Sequence, residues 1–440
     1  MDNSNTFSIS EEYFGRRTLS ILYIGTFLFR TAFGCAALML LMIIESMTLP
    51  LHEKILGIIL FAVAFSLIEG IVAGATGYAT DAFDARLVLV VSTISGAFVM
   101  FLYYLGIFLS FNIYILLAYL IIIHSLHGIV SSLNVTPSLT IITRLSPYHL
   151  RARRMGIFDT TLLLGRITGL ALAGLLYGIF TRNSQSGVDA LRGFIVLMII
   201  MLSAGVVFYA LLPHFPPEKK ADPQRLFKDV IKHIGEGAKV MFSKPRRDLG
   251  LTWLSMSSLW GLAFTLGPLI LLMDFNIKAE ATGYLTAFLT FVIAIPAPLW
   301  GYVADKIGRK KTALLGVTGL VLTAILGATA YMFLGITTEN PIFYVIVSPG
   351  VFFVSAITPS FMGRLGDTAL PGERGVTMSG FQFITSMGEI TGVITGGLAY
   401  LTGKMLLANT ALAPFGGAIG VALMGLFYFL STIVFSMRLR

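Results

Sequence analysis

Long apolar runs separated by short polar breaks fill the chain from Leu19 to Phe435. A membrane-spanning helix needs about 20 apolar residues, and on that measure the runs predict about twelve spans. They cover residues 19–44, 54–79, 86–110, 113–141, 156–180, 193–212, 249–273, 281–303, 311–335, 341–362, 375–402 and 412–436, here spans 1 to 12 in chain order. The one long polar interval, Pro213 to Arg247, follows the sixth run and carries Pro216-Pro217-Glu218-Lys219-Lys220 and a mixed-charge stretch ending Lys244-Pro245-Arg246-Arg247. The expected organisation is therefore an N-terminal segment 1–18, a six-helix bundle 19–212, a linker 213–247, a second six-helix bundle 248–437 and a tail 438–440.

Composition agrees with that pattern. Of the 440 residues 56% are hydrophobic and 12% charged, far too apolar for a water-soluble globule of this length. The 45 Gly, 34 Phe and 18 Met suit helices packed through small residues in lipid. A net charge of +9 does not point to nucleic acid, because the basic residues sit in the short breaks, where they set orientation. With both termini on one side, that side receives 24 Lys and Arg and the other 5, which places the termini in the cytoplasm. The single cysteine, Cys35, excludes an intramolecular disulfide. Met1 to Glu12 is polar and acidic, without the features of a removable signal peptide.

The two sets of six repeat one another. Gly77-Tyr78-Ala79-Thr80-Asp81 recurs as Gly301-Tyr302-Val303-Ala304-Asp305 at an offset of 224. Gly165-Arg166-Ile167-Thr168-Gly169, with Gly174-Leu175-Leu176-Tyr177, recurs as Gly388-Glu389-Ile390-Thr391-Gly392, with Gly397-Leu398-Ala399-Tyr400, at an offset of 223. The halves are homologous units with a site expected between them near the midplane.

The second loop copy, Gly301, Asp305, Lys306, Gly308, Arg309 and Lys310, resembles the G-x-x-x-D-[RK]-x-G-[RK]-[RK] motif of the major facilitator superfamily of secondary transporters. The resemblance implies an all-α membrane fold of about twelve helices in two pseudo-twofold-related six-helix bundles. It also implies a central cavity lined by spans 1, 4, 7 and 10 and a cytoplasmic gate at the loop motifs. The first copy departs from the motif: Gly77 and Asp81 match, but Ala82, Asp84 and Ala85 leave only Arg86 nearby. Before span 5, Pro147 and Arg151 match the family's E-x-x-P-x-x-x-R pattern, with Arg144 where the acid is usual. The gate is therefore expected to be asymmetric, with more charged contacts at Asp305 than at Asp81. The fifth-span Gly-Pro of many drug/proton antiporters and the Pro-Glu-Ser-Pro-Arg of sugar porters are both missing, so neither subfamily is indicated.

An ionised side chain within a span costs roughly 2.5–3.5 kcal/mol even on lenient scales, so each needs a protein-facing or watery setting. Arg30, Glu69, Arg166 and Glu389 fall near mid-depth of spans 1, 2, 5 and 11, which predicts one central polar site. The inter-half contacts of the resembled fold imply that Glu389 approaches span 2, and Arg166 span 8. Arg30 offers a fixed donor fork for a carboxylate or phosphate; the alternative is a structural ion pair with Glu69. Glu69 and Glu389 are the candidate proton carriers, against the alternative of simply neutralising the arginines. His124, His127, Ser131 and Asn134 share one face of span 4. Span 7 offers Trp253, Ser257, Trp260 and Phe264, and span 10 Tyr344, Ser348, Ser355 and Pro359, as cavity lining or as packing. The His pair has a spacing that suits a metal, but no carboxylate or Cys accompanies it in its span, so neither metal nor cofactor is expected.

The expectation is a monomeric transporter in the plasma membrane that moves a small polar or anionic organic solute by alternating access, coupled to protons. A proton-driven exporter of hydrophobic or drug-like compounds is the alternative. A non-transporting receptor would need a larger soluble domain, and no nucleotide loop, metal cluster or nucleophile constellation marks an enzyme.

Overall fold

A computed structural model describes residues 3–182, 186–219, 226–244, 246–267, 270–271, 274–275, 279–336 and 340–438. Parts of the expected linker (220–225 and 245), of span 7 (268–269 and 272–273) and of the tail (439–440) lie outside the described residues. Among the described residues, eleven helices are long and apolar enough to cross a membrane. The remaining expected span, span 7, is helical over Arg247–Gly261 and continues through a π-helical turn, Leu262–Leu266.

The helix ends follow from local chemistry. Asn112 starts span 4 (Ile113–Leu145) by accepting from the Tyr114 and Ile115 backbone N–H groups at 3.0 and 3.2 Å. Asn340 and Asp84 act the same way before span 10 and span 3. Span 8 is two helices, Ala279–Ala294 and Ala297–Ile307, parted at Pro296, which cannot donate a backbone bond. Span 10 is likewise split into Pro341–Val354 and Ile357–Asp367, just before Pro359. Gly308, at φ +102°, turns the chain between span 8 and span 9 (Arg309–Leu334) in a conformation that side chains avoid.

Packing within each set of six repeats across the halves. Span 1 (Asn3–Ser46) lies along span 5 (Arg151–Thr181) as span 7 lies along span 11 (Arg374–Leu407). The two sets meet along two seams, span 2 (Leu51–Ala82) against span 11 and span 5 against span 8. These seams are exchanged by the same pseudo-twofold relation. Glycine allows the close approach: a Cβ on Gly77 would sit 2.5 Å from the Gly375 carbonyl oxygen, and one on Gly301 2.3 Å from that of Ala152.

The interval 213–247 was expected as polar linker, and it contains two short helices, Leu226–Lys232 and Glu236–Phe242. They turn back at Gly235, whose φ of +76° suits glycine, and pack on spans 2 and 11.

Candidate functional site

Mid-depth charges from four spans converge between the halves. Arg30 interacts electrostatically with Glu69, Arg166 and Glu389, and Glu389 with Glu69, Arg166 and Arg30. As expected, Glu389 reaches span 2. Arg166 has Glu389 of span 11 as an electrostatic partner.

The two carboxylates are held by a reciprocal arrangement. Ser386 Oγ on span 11 donates to Glu69 Oε2 at 2.8 Å, and Ser66 Oγ on span 2 donates to Glu389 Oε2 at 3.3 Å. Each helix carries the serine three residues before its own glutamate, and each serine serves the other helix's acid. Gln382 and Ser131 stand beside the Glu69 carboxylate as well. Sequence reading missed Ser66, Gln382 and Ser386. The repeated Ser-x-x-Glu spacing in spans 2 and 11 was the available signal.

Around this cluster the span 4 face divides in two. His124 is satisfied: its Nδ1 lies 2.7 Å from the Tyr103 hydroxyl and its ring stacks on Phe61 at 3.5 Å between centroids. His127 is fully buried, and neither ring nitrogen has a hydrogen-bond partner among the described residues. Phe33 lies 4.7 Å from its ring and Phe65 6.2 Å. The Arg30 guanidinium lies 5.0 Å from the same Phe33 ring, and its Nε is also without a partner there. Both side-chain polar atoms of Asn134 are buried and unpartnered among the described residues. Buried polar groups left unpaired are costly. Arg30 and His127 thus bring unpaired polar atoms to the same Phe33 ring, and Asn134 lies two turns further along the His127 face of span 4.

The candidates from spans 7 and 10 are placed differently. Trp253 stacks with Phe361 at 4.6 Å and Phe381 at 5.2 Å and donates to Thr385 Oγ1 at 2.8 Å, all contacts within the second half. Trp260 is partly buried, Tyr344 is buried beside Phe343, and the Phe264 side chain lies outside the described residues. The Ser348 and Ser355 hydroxyls donate to their own helix, while Ser257 Oγ is buried without a partner among the described residues. Asp159 of span 5, also missed, is 7% exposed with Oδ2 unpartnered there. The adjacent Thr160 donates to the Ala294 carbonyl at 2.6 Å across the span 5/span 8 seam.

At the end bearing the loop copies, each aspartate caps a helix of the opposite half. Asp81 accepts from Gly375 and Val376 N–H at 2.8 and 3.1 Å, in the first turn of span 11. Asp305 accepts from Ala152 and Arg153 N–H at 3.1 and 2.9 Å, in the first turn of span 5. A carboxylate there meets both free N–H groups and the positive helix end. Around Asp305, Arg309 bonds its carboxylate at 3.2 Å and Asp367 at 2.9 Å, and Arg151 bonds Asp367 at 2.8 Å. Around Asp81, Arg144 approaches its carboxylate at 3.6 Å and Glu218 at 3.2 Å, and Arg374 bonds Glu218 at 2.7 Å.

The expected asymmetry is thus corrected: at this end each seam joins two acids and two bases. Arg374 is the repeat equivalent of Arg151, while Arg144 stands where the second half has Asp367. That charge reversal supplies the base the first loop copy lacks, and Glu218 supplies the acid. Arg86 lies outside the Asp81 network, 2.9 Å from His214 Nε2, which in turn holds Asp84 through Nδ1 at 2.7 Å. Lys306 is exposed over Tyr302, and Lys310 is half-buried at the same end.

The sequence profile of the Major Facilitator Superfamily matches residues 22–272 and 249–436. No curated protein matches the sequence. Among solved structures, the human organic anion transporter MFSD10 (TETRAN) is similar at TM-score 0.72 and 17% identity, over 95% of this chain and 99% of that one. The proton:xylose symporter XylE, bound to 6-bromo-6-deoxy-D-glucose, is similar at 0.67 and 15%, over 96% of each chain. The E. coli fucose:proton symporter FucP is similar at 0.66 and 12%, over 96% of this chain and 98% of that one. At these identities the likeness establishes the fold.

Proposed function

Because this chain belongs to the Major Facilitator Superfamily, we propose that it is a secondary active transporter that moves a small polar or anionic organic solute by alternating access, coupled to protons. The observation that carries the reading is the Arg30, Glu69, Arg166 and Glu389 cluster between the halves, with both carboxylates hydrogen-bonded across the span 2/span 11 seam. A site that two rigid bodies share changes its access when they rock. Arg30 offers an anion its donor fork, and the unpaired His127 and Asn134 add polar contacts. Glu69 and Glu389 carry the protons, because each can exist charged or neutral and each is tied to the opposite half. Its fold neighbours include proteins described as an organic anion transporter and as proton symporters. In this reading the protein is a monomer in the plasma membrane with both termini, and hence the Asp81 and Asp305 networks, in the cytoplasm.

A second reading, proton-driven export of hydrophobic compounds, is favoured by the Phe29, Phe33 and Phe65 rings that border Arg30 and His127. Uptake into proteoliposomes under an imposed pH gradient, screened over organic anions, sugars and cationic dyes, separates the two. Gradient-driven transport of an anion is expected, lost in Arg30→Ala, with proton coupling lost in Glu69→Gln or Glu389→Gln. Intact gradient-driven transport in both glutamine variants sinks the proton-carrier assignment.

A further inference from the structure

The two short helices between the halves divide their charges by face. Both acids turn toward the protein: Asp229 accepts from the Tyr78 hydroxyl at 3.4 Å, and Glu236 lies 3.5 Å from His233, whose ring stacks on Tyr78 at 4.1 Å. Met241, fully buried, packs on Gly380 of span 11. The opposite face carries Lys228, Lys232 and Lys239, all exposed, and between them Ile231, Ile234 and Phe242, 48%, 44% and 44% exposed. Lys239 also reaches Glu236 at 3.8 Å while remaining 79% exposed.

The depth of this hairpin is fixed by span 2. Gly235 at its tip donates to the Ile71 carbonyl at 3.1 Å, and the His233 carbonyl lies against Gly74. Ile71 is ten residues from the helix-capping Asp81, about 15 Å along the helix axis. An exposed isoleucine at that depth of a membrane-spanning segment faces acyl chains, and long lysines beside it can reach back to the headgroups. Apolar insertion together with outward lysines is the chemistry that recognises an anionic bilayer surface.

We propose that the 226–242 hairpin docks on anionic phospholipid, inserting Ile231, Ile234 and Phe242 among the acyl chains and holding headgroup phosphates with Lys228, Lys232 and Lys239. The hairpin touches span 2 of one half and span 11 of the other, so bound lipid stabilises the packing in which these helices meet. This rests on the chain spanning a membrane, and is independent of what it transports.

The test uses the full chain with its buried Cys35 replaced (Cys35→Ala) and an environment-sensitive label at Ile234→Cys, reconstituted in phosphatidylcholine with or without phosphatidylglycerol. Quenching by brominated acyl chains and shielding from aqueous iodide are expected. Native mass spectrometry of unlabelled protein is expected to show preferential retention of phosphatidylglycerol. Retention should fall roughly fivefold for each of Lys228→Gln, Lys232→Gln and Lys239→Gln. Iodide quenching of the label in both membranes overturns the insertion. Retention unchanged in the triple lysine variant overturns the headgroup contact.

Discussion

At the scale of single residues, the two histidines of span 4 differ in their hydrogen bonding. His124 satisfies the buried Tyr103 hydroxyl, so His124→Phe leaves that hydroxyl unpaired and should cost about 1–3 kcal/mol of stability. Neither His127 ring nitrogen has a hydrogen-bond partner among the described residues, so His127→Phe should lower the melting temperature less than His124→Phe while altering solute transport. Thermal unfolding in detergent, read beside proteoliposome uptake, checks both; equal melting losses would refute the division. The ionisable members of the site were legible in the sequence because a charge in an apolar run is conspicuous. Their partners were not: Ser66 and Ser386 look like ordinary small residues of a membrane helix. Asp159, near the start of span 5, reads from sequence as an end-of-helix charge. Only packing shows that it is buried.

At the scale of helices, Asp81 and Asp305 each complete the first turn of a helix from the other half. Removing a helix-capping carboxylate typically costs about 0.5–2 kcal/mol. Asp81→Ala and Asp305→Ala should each lower the population of the latched packing by comparable amounts. Spin-label distances across that end of the molecule would show it, as a longer component of similar weight in both variants. The spans themselves were readable from apolar length, and the breaks in spans 8 and 10 lie beside prolines visible in the sequence. Leu226–Lys232 and Glu236–Phe242 were not readable: seven residues give too few turns to establish a period, and such helices form only against the spans they pack on.

At the scale of the whole molecule, the repeat predicted two homologous halves with a site between them, but not the balance of their two seams. Judged by the loop letters alone, the first copy is deficient. Its missing base comes from Arg144 and the matching acid from Glu218, residues distant in sequence that the fold brings to Asp81. Glu218→Gln, which strips Arg144 and Arg374 of their shared acid, should therefore impair transport about as much as Asp367→Asn, which does the same to Arg151 and Arg309. Uptake rates for the two variants measured in parallel decide this, and a silent Glu218→Gln would return the gate to asymmetry. The crossed serine–glutamate contacts constrain how the seam can move. Both bonds exist at one register of span 2 against span 11, and a slip of one helical turn, about 5.4 Å, breaks both together. Rolling about that point leaves them made. If the halves rock as proposed, the clasp would act as a pivot pin, resisting shear along the seam and putting the fulcrum where the proposed protons and solute bind.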